Sequence, residues 1–182
     1  MVACLGVDFA RVADAVAGFL LPRGHRVGLA GALALHAYGI SRLTFDLDFV
    51  TDAAAQSELL AFVESLGYSC LHSSAGFSNH VHADAAWGRL DVIYVDRATA
   101  DKLFSESRAS LRLGDRDLHV PRPEHLAAMK VQAMKNDPSR KLPDMADVQS
   151  LLRLPGVDAA EVRGYFERAG LSDEYEQIRR AV

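Results

Sequence analysis

Asp46 and Asp48 stand two residues apart in the run Arg42-Leu43-Thr44-Phe45-Asp46-Leu47-Asp48-Phe49-Val50. In an extended strand alternate residues share a face, so both carboxylates project together while Phe45, Leu47 and Phe49 project the other way. Two close carboxylates repel unless a cation neutralises them, and their hard oxygens are natural ligands of Mg²⁺. An isolated Asp-x-Asp is more often a polar strand face turned to water. The surroundings must decide.

Gly31 and Ala32 lie fifteen and fourteen residues before Asp46, between a short apolar strand candidate and a helix candidate, and Arg42 and Thr44 lead into the acidic pair. In Gly88-Arg89-Leu90-Asp91-Val92-Ile93-Tyr94-Val95, alternation puts Leu90, Val92 and Tyr94 on one face and Asp91, Ile93 and Val95 on the other. Lys130 falls at helical spacing among Leu126, Met129 and Ala133, a costly place for an unpaired ammonium unless its stem snorkels. It is a candidate phosphate ligand with Arg42, ahead of Arg140 and Lys135. His80, His82 and Asp84 form a weaker, competing metal set if that segment is extended.

The elements that must position these groups can be read along the chain. Periodicity predicts a helix over 7–21, a strand over 26–30, a short helix over 32–38 stopped by Gly39, and a strand over 44–50. A helix over 53–66 closes at Gly67 and is followed by strands over 68–72, 78–83 and 89–95. Residues 112–120 read as a hairpin turning at Gly114-Asp115. Pro123 then opens a helix that stops at Asp137-Pro138, with further helices expected near 145–152, 159–169 and 173–180. The expected organisation is a mixed αβ part over 1–121 and a helical subdomain over 122–182.

Composition narrows the field. The 182 residues hold 20 basic and 24 acidic side chains, so the bulk charge calls for neither nucleic acid nor an acidic membrane surface. Cys4 and Cys70 have no metal-ligand spacing and suggest no disulfide framework. No run approaches a membrane span and no basic leader precedes an apolar stretch, so a cytoplasmic protein with no membrane partner is expected.

The stretch GALALHAYGISRLTFDLDF resembles the signature of the nucleotidyltransferase superfamily, and within it the bacterial AbiE-type (AbiEii/AbiGii) toxins, through Gly31, Gly39, Arg42, Thr44, Asp46 and Asp48. A second segment, MKVQAMKNDPSRKLPDMADVQSLL, is similar to those proteins through Lys130, Asn136, Asp137, Pro138, Arg140, Asp144 and Asp147. The resemblance implies an α+β nucleotidyltransferase fold, a mixed β-sheet flanked by helices with a C-terminal helical bundle. It implies transfer of an NMP from an NTP to a hydroxyl acceptor, with two Mg²⁺ ions on Asp46, Asp48 and Asp91 and the third acid assisting deprotonation of the acceptor. Gly31, Ala32, Arg42, Thr44, Lys130 and Arg140 are the expected nucleotide ligands, tRNA a candidate acceptor, and a cognate antitoxin a candidate partner. Asp144 and Asp147 are read as capping residues or ion-pair partners of these cations. Two positions depart from the pattern: Ala32 replaces a Gly or Ser, and Pro143 replaces a lysine. They motivate the alternative expectation of a catalytically degenerate nucleotide- or partner-binding module.

Overall fold

The computed structural model describes residues 6–180. Cys4 lies outside them, and Cys70 is an exposed thiol. The described chain forms two compact units that meet in sequence at Pro121 and Arg122.

The first unit is built on a seven-stranded mixed sheet. Its strands are β1 (Val27–Leu29), β2 (Asp46–Asp52), β3 (Tyr68–Ser74), β4 (Phe77–His82), β5 (Arg89–Val95), β6 (Ala109–Leu113) and β7 (Arg116–Val120), in the order β3-β4-β5-β2-β1-β7-β6. β2 pairs in parallel with β5 and antiparallel with β1, so the end of β1 adjoins the starts of β2 and β5. The helices are α1 (Phe9–Leu20), α2 (Gly31–Ala37), α3 (Gln56–Ser65) and α4 (Arg97–Ser105).

Strand alternation decides which sheet face is apolar. Leu47 pairs with Leu90 and Phe49 with Val92 in register, and all four are fully buried. Burial of each such side chain contributes about 1.5–3 kcal/mol. Helix α1 presents Phe9, Val12, Ala13, Val16, Ala17 and Leu20 as one buried stripe and packs against α3, β6 and β7. Asp8 caps α1 by accepting a hydrogen bond from the Arg11 N–H at 3.0 Å.

Helix α4 is missing from the periodicity reading, because only Ala100 and Leu103 of its nine residues are buried. Its start is nevertheless written locally: Asp96 accepts from the Thr99 N–H at 2.9 Å. The final hairpin turns where Gly114 permits φ of 58°, and its first strand begins at Ala109, three residues before the sequence expectation.

The second unit contains α5 (Pro123–Asn136), α6 (Lys141–Leu152), α7 (Ala159–Ala169) and α8 (Ser172–Arg180). Pro123 occupies the first turn of α5, where its missing N–H costs no hydrogen bond. Leu126, Val131, Met134, Val148, Leu151, Val162 and Phe166 form its apolar centre. A partly buried ion pair ties α5 to α7: Arg122 donates to both Glu161 oxygens at 2.7 and 2.8 Å, and Tyr165 donates to the same carboxylate at 2.6 Å. No described helix is long and apolar enough to cross a membrane.

Candidate active site

The three acids singled out in the sequence converge on one face of the sheet. Asp48 stands directly opposite Asp91 in the parallel β2–β5 ladder, and Asp46, one pleat earlier, stands opposite Arg89. Neighbouring strands lie about 4.8 Å apart, and paired residues point to the same side. The opposite face at this level carries Leu47, Leu90 and Val92, so the acids back onto the core.

Local chemistry positions Asp46 and Asp48. Thr44, itself buried, donates its hydroxyl to Asp46 Oδ1 at 2.6 Å. Asp48 is fixed from the β1 side: its carbonyl accepts the Ala30 N–H at 2.9 Å. Gly31 follows at φ 56°, and a Cβ there would lie 1.8 Å from Asp48 Oδ2. The glycine serves two needs at once, a left-handed backbone and room for the carboxylate. Asp91 is 8% exposed.

Arg42 is partly buried, and its carbonyl lies 2.8 Å from His36 Nε2, which joins the end of α2 to the approach of β2. Ala32 is buried at the second position of α2. Lys130 and Arg140 belong to the helical unit. Lys130, 6% exposed, places Nζ 3.0 Å from Asp144 and 2.7 Å from Asp147, and Arg140 Nε lies 3.1 Å from the other Asp144 oxygen. The Asp-x-x-Asp segment is therefore the ion-pair partner of these cations, and the arrangement links α5 to α6.

The competing histidine set is not assembled. His80 is fully buried and meets Ser78 Oγ at 2.9 Å, and Ser78 in turn meets the Tyr94 hydroxyl at 2.9 Å. Burial lowers the His80 pKa, partly opposed by the charge of Glu64, and burial raises that of Tyr94. His82 accepts the Asp84 N–H at Nδ1, so its proton sits on Nε2 and faces the Leu66 carbonyl at 3.1 Å. Both ring nitrogens are engaged.

A polar residue in the row of Asp48 and Asp91 was not singled out in the sequence. Asn79 of β4 stands opposite Asp91, which extends the row of polar groups from Asp48 through Asp91 to a carboxamide. The signal for it was present: it interrupts Phe77 and Val81 on the same strand face.

Among the described residues, no group of three or more His, Cys, Asp or Glu side chains is arranged to hold a metal by itself. Mg²⁺ asks for less, because it retains waters and takes one or two carboxylates together with substrate phosphates. The Asp48–Asp91 pair, with Asp46 beside it, has that donor chemistry.

The sequence matches no family model and no curated protein. Solved structures do resemble it. The antibiotic-resistance factor ANT(2'')-Ia aligns with a TM-score of 0.61 at 15% identity, over 94% of this chain and 95% of that one. The lincosamide antibiotic adenylyltransferase LnuA, in its lincomycin-bound form, aligns at 0.53 and 14% identity over 79% and 96%. An antigenic nucleotidyltransferase-like protein from Paracoccidioides brasiliensis aligns at 0.53 and 15% identity over 93% and 92%. Similarity over nearly the whole chain at such low identities identifies the architecture as the α+β nucleotidyltransferase fold, here built on a seven-stranded mixed sheet.

Proposed function

We propose that the protein transfers an NMP from an NTP to a hydroxyl acceptor with the help of Mg²⁺. The observation that carries this reading is the lateral pairing of Asp48 with Asp91, with Asp46 on the same face, beside the Gly31 turn. Asp46, Asp48 and Asp91 would hold the metal, which supplies positive charge against the charge that accumulates on phosphate oxygens during displacement. Asp91, next to Asp48 yet on its own strand, would take the proton of the acceptor hydroxyl as it attacks. Gly31, Ala32, Arg42 and Thr44 would take the nucleotide, a reading supported by Gly31 lying against Asp48 and Thr44 bonding to Asp46. Lys130 and Arg140 would have to leave Asp144 and Asp147 to serve it, so we assign them to holding the helical unit together.

The test is transfer of label from each α-labelled NTP to total tRNA or to small polyhydroxyl acceptors with Mg²⁺, comparing wild type with Asp48→Asn and Asp91→Asn. Label transferred by wild type and lost in both variants supports the reading; the same background in all three removes it. Membership of the AbiE-type toxins draws on the Arg42–Asp48 and Lys130–Asp147 motifs. Growth arrest on expression of wild type, relieved by Asp48→Asn and by a co-expressed neighbouring open reading frame, would support the toxin role and the antitoxin together.

The degenerate, nucleotide-binding reading has one observation in its favour, the engagement of Lys130 by two carboxylates. Mg²⁺-dependent NTP binding that Asp48→Asn abolishes, without transfer to any acceptor, distinguishes it.

A further inference from the structure

Asn79 is the β4 residue opposite Asp91. It sits mid-strand on β4 between Phe77 and Val81, two residues to either side on the same face, where packing favours an apolar side chain. Its buried Oδ1 has no hydrogen-bond partner among the described residues. A buried carbonyl oxygen left unmatched is a net cost, and such groups persist where function uses them.

Its place in the row gives the use. Across the sheet the order is Gly31, Asp48, Asp91 and Asn79, from the end of β1 to β4. In an in-line displacement the attacking and leaving oxygens lie on opposite sides of phosphorus. On the reading of the preceding subsection, on which this inference rests, the phosphates lie along Asp46 and Asp48. The acceptor hydroxyl then reaches Asp91 from the Asn79 side.

We propose that Asn79 is an acceptor-specificity residue: Asp91 takes the proton of the reacting hydroxyl, and the Asn79 carboxamide hydrogen-bonds a second donor on the adjacent carbon. In the step itself the acceptor oxygen bonds to the α-phosphorus, the bond to the bridging oxygen breaks, pyrophosphate leaves with its electron pair, and the proton goes to Asp91. Lateral neighbours on a sheet have Cβ atoms about 4.5–5.5 Å apart, a separation that suits two groups holding adjacent substituents. The acceptor class is therefore a vicinal diol or amino alcohol. A free amino sugar and the terminal ribose of an RNA both offer that chemistry.

The experiment separates the two sources. Wild type, Asn79→Leu and Asn79→Asp are assayed for NMP transfer to tobramycin, to total tRNA, and to tRNA ending in 2′-deoxyribose, which keeps the reacting hydroxyl but lacks its neighbour. Wild type is expected to use tobramycin or ribose-ended tRNA, and whichever it uses names the source. In Asn79→Leu the acceptor KM rises about tenfold or more with the NTP KM unchanged, while the melting temperature stays level or increases because an unmatched buried oxygen is gone. Asn79→Asp keeps the oxygen and retains part of the activity. If tRNA is the acceptor, the deoxy-ended form is a poor substrate for wild type and Asn79→Leu no longer discriminates against it. Unchanged acceptor KM in Asn79→Leu overturns the proposal, as does NTP binding by wild type without transfer to either acceptor. Absence of NTP binding fails the underlying reading instead, and the inference with it.

Discussion

The Asp48 carboxylate occupies the space that a side chain at position 31 would need, with Oδ2 1.8 Å from the ideal Cβ of Gly31. Gly31→Ala therefore meets both a steric conflict and a left-handed φ of 56°. It is expected to cost about 1–3 kcal/mol of stability, and to lower Mg²⁺-dependent NTP binding because Asp48 must move. Thermal unfolding and calorimetric titration check the two effects. A variant that binds as wild type does would show that this contact does not set the position of Asp48.

Lys130 lies between Asp144 and Asp147, which are 0% and 6% exposed. Lys130→Met leaves two carboxylates buried without their shared cation, and should destabilise the protein by about 3–5 kcal/mol. Adding Asp144→Asn and Asp147→Asn should recover a large part of that loss in urea unfolding. If Lys130→Met keeps full stability and loses only NTP affinity, the lysine serves the nucleotide.

Burial holds the His80 pKa below its ordinary 6.5, against a smaller opposing effect from Glu64. Below pH 6.5 the unfolded chain takes up a proton that the folded one does not, so stability falls as pH decreases through that value. His80→Gln, which cannot titrate, should show a flatter stability profile as pH falls below 6.5. Chemical unfolding across that window gives the comparison, and parallel profiles would exclude His80 as the source.

Asp52 receives the Arg26 backbone N–H at 2.8 Å and its guanidinium, and Arg26 also reaches Asp101 at 2.6 Å. Burial pushes the Asp52 carboxyl up, but the hydrogen bonds and charge of Arg26 outweigh it and hold the pKa below 3.8. The pair's contribution is present above 3.8 and lost as pH falls through the lower folded value. Asp52→Asn should cost about 1 kcal/mol at neutral pH, discounted because Arg26 is partly open to solvent. The difference from wild type should shrink below pH 3.8. A constant difference at all pH values would assign the loss to packing.

Period-two alternation makes Asp46 and Asp48 share one side of β2, and Asp91 share its side with Ile93 and Val95, whatever lies around them. Helical periodicity similarly makes the buried stripe of α1 readable, and the order of elements was enough to expect a mixed αβ part followed by helices, while the α+β nucleotidyltransferase fold that the structure has followed from the family resemblance. These are local consequences of backbone geometry. Helix α4 escaped because two buried residues do not make a periodic pattern.

Pairing between distant strands was not local. That Asp48 faces Asp91, forty-three residues later, depends on the β2–β5 register, and a slip of one residue would have put Asp48 opposite Leu90 or Val92. The same register brings Asn79 into the row through β4. Composition and spacing decided which side chains could do chemistry; the packing of the sheet decided which of them stand together, because register is fixed by burying one whole face.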